Sequence, residues 1–289
     1  MSDITRIGVV GCGLMGSGIA EICARAGLDV IVREIDDQAA ASGRTRIETS
    51  LGRAVKAGKL PAEGRDDALA RLTVTTRLDD LADRDLVIEA ATENPEVKAA
   101  LFAELDRVVK RPDAILATNT SSIPIVQVAQ ATTRPAQVVG LHFFNPVPVQ
   151  KLVEVIPSLL TSAETARQAR DFAAGVLGKT PITAPDRSGF VVNALLVPYL
   201  LAAVRMVEGG HATAEDIDTG MTLGCAHPMG PLRLADLIGL DTLQSVADSL
   251  YEEYAEPLYA APPLLRRMTA AGLMGKKTGR GFYDYQEQK

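Results

Sequence analysis

The 289-residue sequence predicts an α/β fold: a doubly wound sheet domain with an inserted helical hairpin, followed by an all-helical domain. Three observations predict it. The apolar run at residues 4–10 ends in the glycine-rich turn Gly11-Cys12-Gly13-Leu14-Met15-Gly16. Strand-like and helix-like stretches then alternate as far as residue 184. Beyond Asp186-Arg187-Ser188-Gly189 strand signals vanish, and helical patterns punctuated by Gly and Pro run to residue 271. The expected domains are therefore 1–186 and 187–289.

Each element has its own justification. A buried strand at 4–10, the glycine turn, an apolar-striped helix at 17–26 and a second buried strand at 28–32 make one βαβ unit. The right-handed crossover of such a unit implies parallel strands, and the glycine turn makes the domain Rossmann-like. A charge-decorated helix at 38–57, then Gly58 and Pro61, then a shorter helix at 62–71 read as a hairpin inserted before the strand at 72–75. The alternation resumes with strand 85–89, helix 95–109, strand 114–117, helix 123–131 and strand 137–141. It closes with strand 152–156, helix 163–177 and strand 181–184. In the second domain the helix at 190–207 is apolar on most sides, so other helices or a second subunit must cover it.

Bulk properties narrow the function. A net charge of −6 with a pI near 5.2 argues against general nucleic-acid binding, which needs a basic field. No apolar run approaches the ~18 residues of a membrane span. Met1-Ser2-Asp3 leads straight into a strand without signal-peptide architecture, and three cysteines are too few for a disulfide framework. The expected location is cytoplasmic, with no membrane partner and no metal.

Gly11, Gly13 and Gly16 fit the dinucleotide fingerprint: a tight turn, close backbone approach to the pyrophosphate, and tight helix–strand packing. Glu34, at the end of the second strand, is placed to accept a ribose hydroxyl and to repel a 2′-phosphate. This favours NAD over NADP, although Arg33 beside it could accommodate such a phosphate. Downstream, Leu141-His142-Phe143-Phe144-Asn145-Pro146 sets a histidine between a strand-like run and a proline-fixed loop. In Lys151-Leu152-Val153-Glu154-Val155-Ile156 a carboxylate interrupts another apolar run and needs a partner. A histidine and an acid on neighbouring strands form a base and its orienting group, suited to proton removal coupled to hydride transfer. Ser121 and Ser122 either carry ligand contacts at a strand end or cap the helix that begins at Ile123. Asn193, one turn inside the apolar helix, calls for a specific partner, whereas Lys56 reads by default as a solvent-facing charge.

Together these stretches resemble the L-3-hydroxyacyl-CoA dehydrogenase family almost end to end. The matching blocks are GVVGCGLMGSGIA (8–20), NTSSIPI (119–125), HFFNPVPVQKLVEV (142–155), DRSGFVVNALLVPYL (186–200), HPMGPLRLADLIGLDT (227–242) and GKKTGRGFYDY (275–285). The resemblance implies an NAD-binding domain, a helical C-terminal substrate and dimerisation domain, an acyl-CoA substrate and a homodimer. It gives His142 the role of catalytic base and Glu154 that of its orienting acid. It places Ser121 and Asn193 at the reacting oxygen or in support of the histidine. Cofactor contacts fall to Gly11, Gly13, Leu14, Met15, Gly16, Glu34, Glu93, Lys98, Asn145 and Lys277. Coenzyme A contacts fall to Ser50 and Lys56 on the hairpin, and Ser121 also touches substrate. Departures are small: Cys12 stands where alanine is common, Gln150 where methionine is, and Ala194 where arginine is. Related dehydrogenases acting on sugar acids or carrier-bound hydroxyacyl groups remain an alternative reading of the same fold.

Overall fold

The computed structural model describes residues 4–286, so Met1, Ser2 and Asp3 lie outside the described residues. The chain forms two compact units, Met1–Asp186 and Arg187–Lys289.

In the first unit, β1 (Arg6–Val10), β2 (Asp29–Arg33), β3 (Leu72–Thr75), β4 (Leu86–Glu89), β5 (Ile115–Thr118), β6 (Val138–Phe143), β7 (Leu152–Ile156) and β8 (Thr180–Thr183) make one sheet. The spatial order is β3-β2-β1-β4-β5-β6-β7-β8, reversing direction at β1, where open α/β sheets leave a crevice beyond their strand ends. Both faces of the central strands are covered, which explains their near-continuous apolar runs: Leu86, Val87 and Ile88 are all fully buried, whereas the edge strands β3 and β8 stay partly exposed. The expectation of a parallel sheet holds for β1 to β6 only. β7 pairs antiparallel with β6, and β8 runs parallel to β7. The physical reason is the connection: residues 144–151 are too short for a helical crossover, so the chain has to turn straight back.

Helices α1 (Leu14–Arg25), α2 (Asp37–Lys56), α3 (Ala62–Ala70), α4 (Pro95–Val108), α5 (Ile125–Gln130) and α6 (Ala163–Asp171) flank the sheet, with α2 and α3 forming the inserted hairpin. Local caps set several starts. Asp36 accepts the Ala39 N–H at 2.7 Å and Asn94 accepts that of Val97 at 3.0 Å, with Pro95 opening the helix after it. Two expected helices come out shorter. α5 begins at Ile125 rather than 123 because Pro124 precedes it and the Asp186 carboxylate takes the N–H groups of Ile125 and Val126 at 2.6 and 2.9 Å. The expected helix 163–177 ends at Asp171 and continues as a wider π turn, Phe172–Val176, closed by the Leu177 N–H on the Phe172 carbonyl at 3.1 Å. That turn seats Phe172 and Ala173 fully in the core.

The second unit contains α7 (Val192–Glu208), α8 (Ala214–Thr219), α9 (Pro231–Ile238), α10 (Leu240–Tyr254) and α11 (Pro263–Ala270), with only isolated β-bridges near Arg280 among the described residues. α7 starts two residues later than expected, because Gly189 and Phe190 both adopt positive φ ahead of it. Its Leu200, Leu201 and Val204 are fully buried against Leu232, Leu243 and Leu250, while Leu195 stays 73% exposed. Among the described residues, no helix is long and apolar enough to cross a membrane.

Candidate active site

The turn back from β6 to β7 fixes the central geometry. In the antiparallel register His142 lies directly opposite Glu154, so their side chains leave the same face of the sheet. His142 Nδ1 lies 2.7 Å from Glu154 Oε2. The carboxylate is fully buried and the imidazole is 9% exposed by side chain, so each satisfies a polar group that would otherwise be costly to bury. With the Nδ1 proton directed at the carboxylate, Nε2 keeps its lone pair and is the proton-accepting nitrogen. The Phe144 ring packs on the imidazole at a centroid distance of 4.6 Å.

The glycine turn builds a second feature. Gly11 has φ +88°, and a Cβ there would meet the Ala90 carbonyl oxygen at 2.8 Å. A Cβ on Gly16 would come within 1.9 Å of the Gly11 carbonyl oxygen, whereas Gly13 faces open space. The N-terminus of α1 follows directly and has no side-chain cap or acidic residue in its first turn, which leaves N–H groups for an anion. A cavity of about 740 Å³ opens here, lined by Gly11, Gly13, Leu14, Met15 and Glu34, with Val97 across from them. The residues fit a dinucleotide: a phosphate cradle that a Cβ would fill, with a carboxylate at its rim. The Glu34 carboxylate accepts the Cys12 N–H in the turn and that of Ile35 at 3.0 Å. Arg33 is directed at the Thr76 carbonyl, 3.4 Å away. Cys12 packs on Gly43, and burial, followed by the Glu34 charge, pushes its thiol up to about 12.

A third cluster joins the ends of β4 and β5 to α4. Glu93 Oε1 accepts the Thr120 hydroxyl at 2.5 Å, the Ser121 N–H at 2.9 Å, and the hydroxyls of Ser121 and Ser122 at 3.3 Å each. The cap of the following turn is Thr120, whose oxygen accepts the Ile123 N–H at 2.9 Å, so neither serine caps it. Lys98 is 1% exposed and lies between two carboxylates: 2.6 Å from Glu89 Oε1 and 3.4 Å from Glu93 Oε2. Burial would raise the Glu93 carboxyl, but the Lys98 charge, the Thr120 hydroxyl and the Ser121 N–H outweigh it and hold the group below the usual carboxylate range.

The remaining expected residues are more dispersed. Asn145 is exposed on the loop between β6 and β7; Ser50 is half-buried on α2 and Lys56 is exposed at its C-terminus. In the second unit Asn193 is half-buried in the first turn of α7, and the Lys277 ammonium pairs with Asp241 at 2.5 Å. Two residues escaped the sequence reading. Glu89 interrupts an apolar strand much as Glu154 does, a signal that was available. Asn119 accepts the Phe143 N–H at 2.9 Å, next to His142, and nothing in its spacing announces that contact.

Residues 6–187 match the family model described as 3-hydroxyacyl-CoA dehydrogenase, NAD binding domain, and residues 189–285 match that of the same enzyme's C-terminal domain. A 3-hydroxybutyryl-CoA dehydrogenase of Mycobacterium tuberculosis is 60% identical over 286 residues, covering 99% of this chain and 100% of the relative. Among solved structures, FadB2 of M. tuberculosis superposes with a TM-score of 0.97 at 60% identity, over 98% of this chain and 99% of that one. The (S)-3-hydroxybutyryl-CoA dehydrogenase PaaH1 of Ralstonia eutropha gives 0.93 at 46% identity, over 98% and 100%.

Proposed function

The chain belongs to the 3-hydroxyacyl-CoA dehydrogenase family, and on that premise we propose that it interconverts (S)-3-hydroxybutyryl-CoA and acetoacetyl-CoA with NAD. The observation that carries this reading is the buried His142–Glu154 pair, facing each other across β6 and β7 at 2.7 Å.

NAD, when bound, supplies the acceptor for the hydride that leaves C3 of the hydroxyacyl group. The glycine turn and the N-terminus of α1 would hold its pyrophosphate, and Glu34 would take the ribose hydroxyls. His142 Nε2 removes the 3-hydroxyl proton, while the Glu154 carboxylate orients the ring and stabilises the imidazolium that develops. Ser121, held through its N–H and hydroxyl by Glu93, aligns the substrate oxygen, and Asn193 supports the histidine or that oxygen. Lys98, paired chiefly with Glu89, stays inside the domain behind Glu93, and Asn145 and Lys277 complete the cofactor contacts. Ser50 and Lys56 on the hairpin hold coenzyme A.

The same reading makes residues 1–186 the NAD-binding domain and 187–289 the substrate and dimerisation domain. A homodimer is supported by the exposed Leu195, Met206, Leu223 and Leu237 of the helical unit. A cytoplasmic location accords with the acidic composition and the three free cysteines. The test is a steady-state assay of acetoacetyl-CoA with NADH, followed at the nicotinamide absorbance band. Absence of NADH consumption at micromolar enzyme would overturn the proposal.

A further inference from the structure

We propose that Glu89 is a positioning residue for the reaction: it draws the Lys98 ammonium away from Glu93, leaving Glu93 free to organise the Ser121 segment. The inference rests on the role assigned above to Ser121.

The three groups are two carboxylates and one ammonium, of which only the Glu89–Lys98 pair is sealed from water. Glu89 is 0% exposed and Lys98 1% exposed, while Glu93 reaches 38%. The ammonium sits against both Glu89 oxygens, at 2.6 and 2.8 Å, but 3.4 Å from the nearest Glu93 oxygen. This asymmetry is imposed on Lys98 because Glu89 is itself immobilised. Its Oε1 accepts the Ala91 N–H at 2.7 Å and its Oε2 the Thr118 hydroxyl at 2.7 Å, while its main-chain carbonyl accepts the Asn119 N–H at 2.8 Å. Glu89 therefore ties together the ends of β4 and β5 and the buried face of α4, the three places from which Glu93 and Ser121 hang.

Without the Glu89 charge, the strongest partner left for the ammonium is Glu93. A buried lysine closing on that carboxylate competes for the oxygen lone pairs that now receive Thr120, Ser121 and Ser122. The hydroxyls of Ser121 and Ser122, each held at 3.3 Å, make the longest of these bonds and are the first to go. A plain counter-ion role for Glu89 makes a different forecast. Its loss would then lower stability but leave turnover per folded molecule intact.

The test is a set of purified full-length variants assayed with acetoacetyl-CoA and NADH, alongside NADH affinity from nicotinamide fluorescence. Glu89→Gln is expected to lower kcat by roughly 10- to 100-fold, the scale of a sub-ångström misplacement of a positioning group, with KM for acetoacetyl-CoA changed less than about threefold. NADH Kd should rise by about tenfold, equivalent to one good contact. The pH profile of kcat/KM should keep its wild-type limbs, because the His142–Glu154 pair is untouched. The deciding variant is Glu89→Gln with Lys98→Met. Removing the ammonium removes the competition for Glu93, so kcat and NADH affinity should recover by about tenfold relative to Glu89→Gln alone. Wild-type kcat and Kd in Glu89→Gln, or a double variant no better than the single one, would overturn the proposal. Should Glu89→Gln not fold, Thr118→Val removes one support of Glu89 and should lower kcat by about two- to fivefold, with unchanged kcat counting as refutation. If the wild-type protein itself fails to turn over acetoacetyl-CoA, the substrate reading has failed, and NADH affinity alone decides the role of Glu89.

Discussion

Glu154 in the sheet unit and Asp236 in the helical unit are both 0% exposed, yet they keep different company. Glu154 faces a titratable imidazole across a strand pair. Asp236 faces donors that do not change charge at neutral pH: the N–H groups of Phe282 and Tyr283 at 3.0 Å each, and the Tyr285 hydroxyl at 3.1 Å. Nearby Asp218 follows the same pattern, accepting the N–H groups of Leu232 and Arg233 and the Tyr283 hydroxyl. Burial alone therefore does not mark a reactive acid. A buried carboxylate beside a proton-exchanging partner is chemical machinery, whereas one surrounded by amide and phenol donors is a staple, here fastening the segment around 275–285 to α9.

The largest expected effect separates these two kinds of acid. His142→Gln, and to a similar extent Glu154→Gln, should lower kcat by roughly 10²- to 10⁴-fold, the usual contribution of general-base catalysis. NADH affinity should stay within about twofold of wild type. Near-normal turnover in either variant would dissolve the distinction. Asp236→Ala should behave in the opposite way. It strands buried donors worth about 1–3 kcal/mol each, so melting should drop by several degrees while kcat per folded molecule holds. Thermal denaturation paired with an active-site titration reads both. A third, milder test concerns Glu34, a half-buried acid at the rim of the cofactor cavity. Glu34→Ala should weaken NAD binding by about tenfold and narrow the preference over NADP, measured by fluorescence titration with each cofactor.

The smallest effect is a difference in sign with pH. Burial raises the Asp236 carboxyl despite its N–H donors, so its ionisation opposes folding; its contribution is greatest at acid pH and fades as pH climbs through the usual carboxylate value toward the raised one. Asp106 runs the other way. Burial would raise it, but the N–H and hydroxyl of Thr133 and the Arg134 guanidinium, the last at 2.7 Å, hold it low. Its stabilisation is complete above the unfolded value and lost as pH falls through the depressed one. Urea unfolding should show Asp106→Asn less stable by about 1–2 kcal/mol at neutral pH, with the gap narrowing as pH falls below the usual carboxylate value. A gap that widened with acidification would contradict the assignment.

What could be read from the chain beforehand follows physical lines. The glycine turn was legible because its residues answer to local sterics: Gly11 and Gly16 have backbone within 3 Å of where a Cβ would sit. Glu154 was legible because an acid in an apolar strand demands a partner. The antiparallel turn of β7 was missed, although the shortness of the 144–151 connection forbids a crossover. Lys98 shows a harder limit, since nothing in the sequence separates an exposed helical lysine from one sealed beside two acids by the packing of α4 on the end of β4. Ser121 and Ser122 could not be told from helix caps, because the decision depended on Thr120 taking that place. Asn119 matters through its contact with Phe143, distant in sequence, which no local pattern encodes, whereas Glu89 at the end of an apolar strand carried the same signal as Glu154.

Pairing His142 with Glu154 on one rung of a hairpin has a consequence for motion. The two groups share a rigid ladder, so any opening or closing of the crevice would carry proton acceptor and orienter as one body. Gating then changes how often substrate reaches the imidazole, while the contact between Nδ1 and the carboxylate stays as it is.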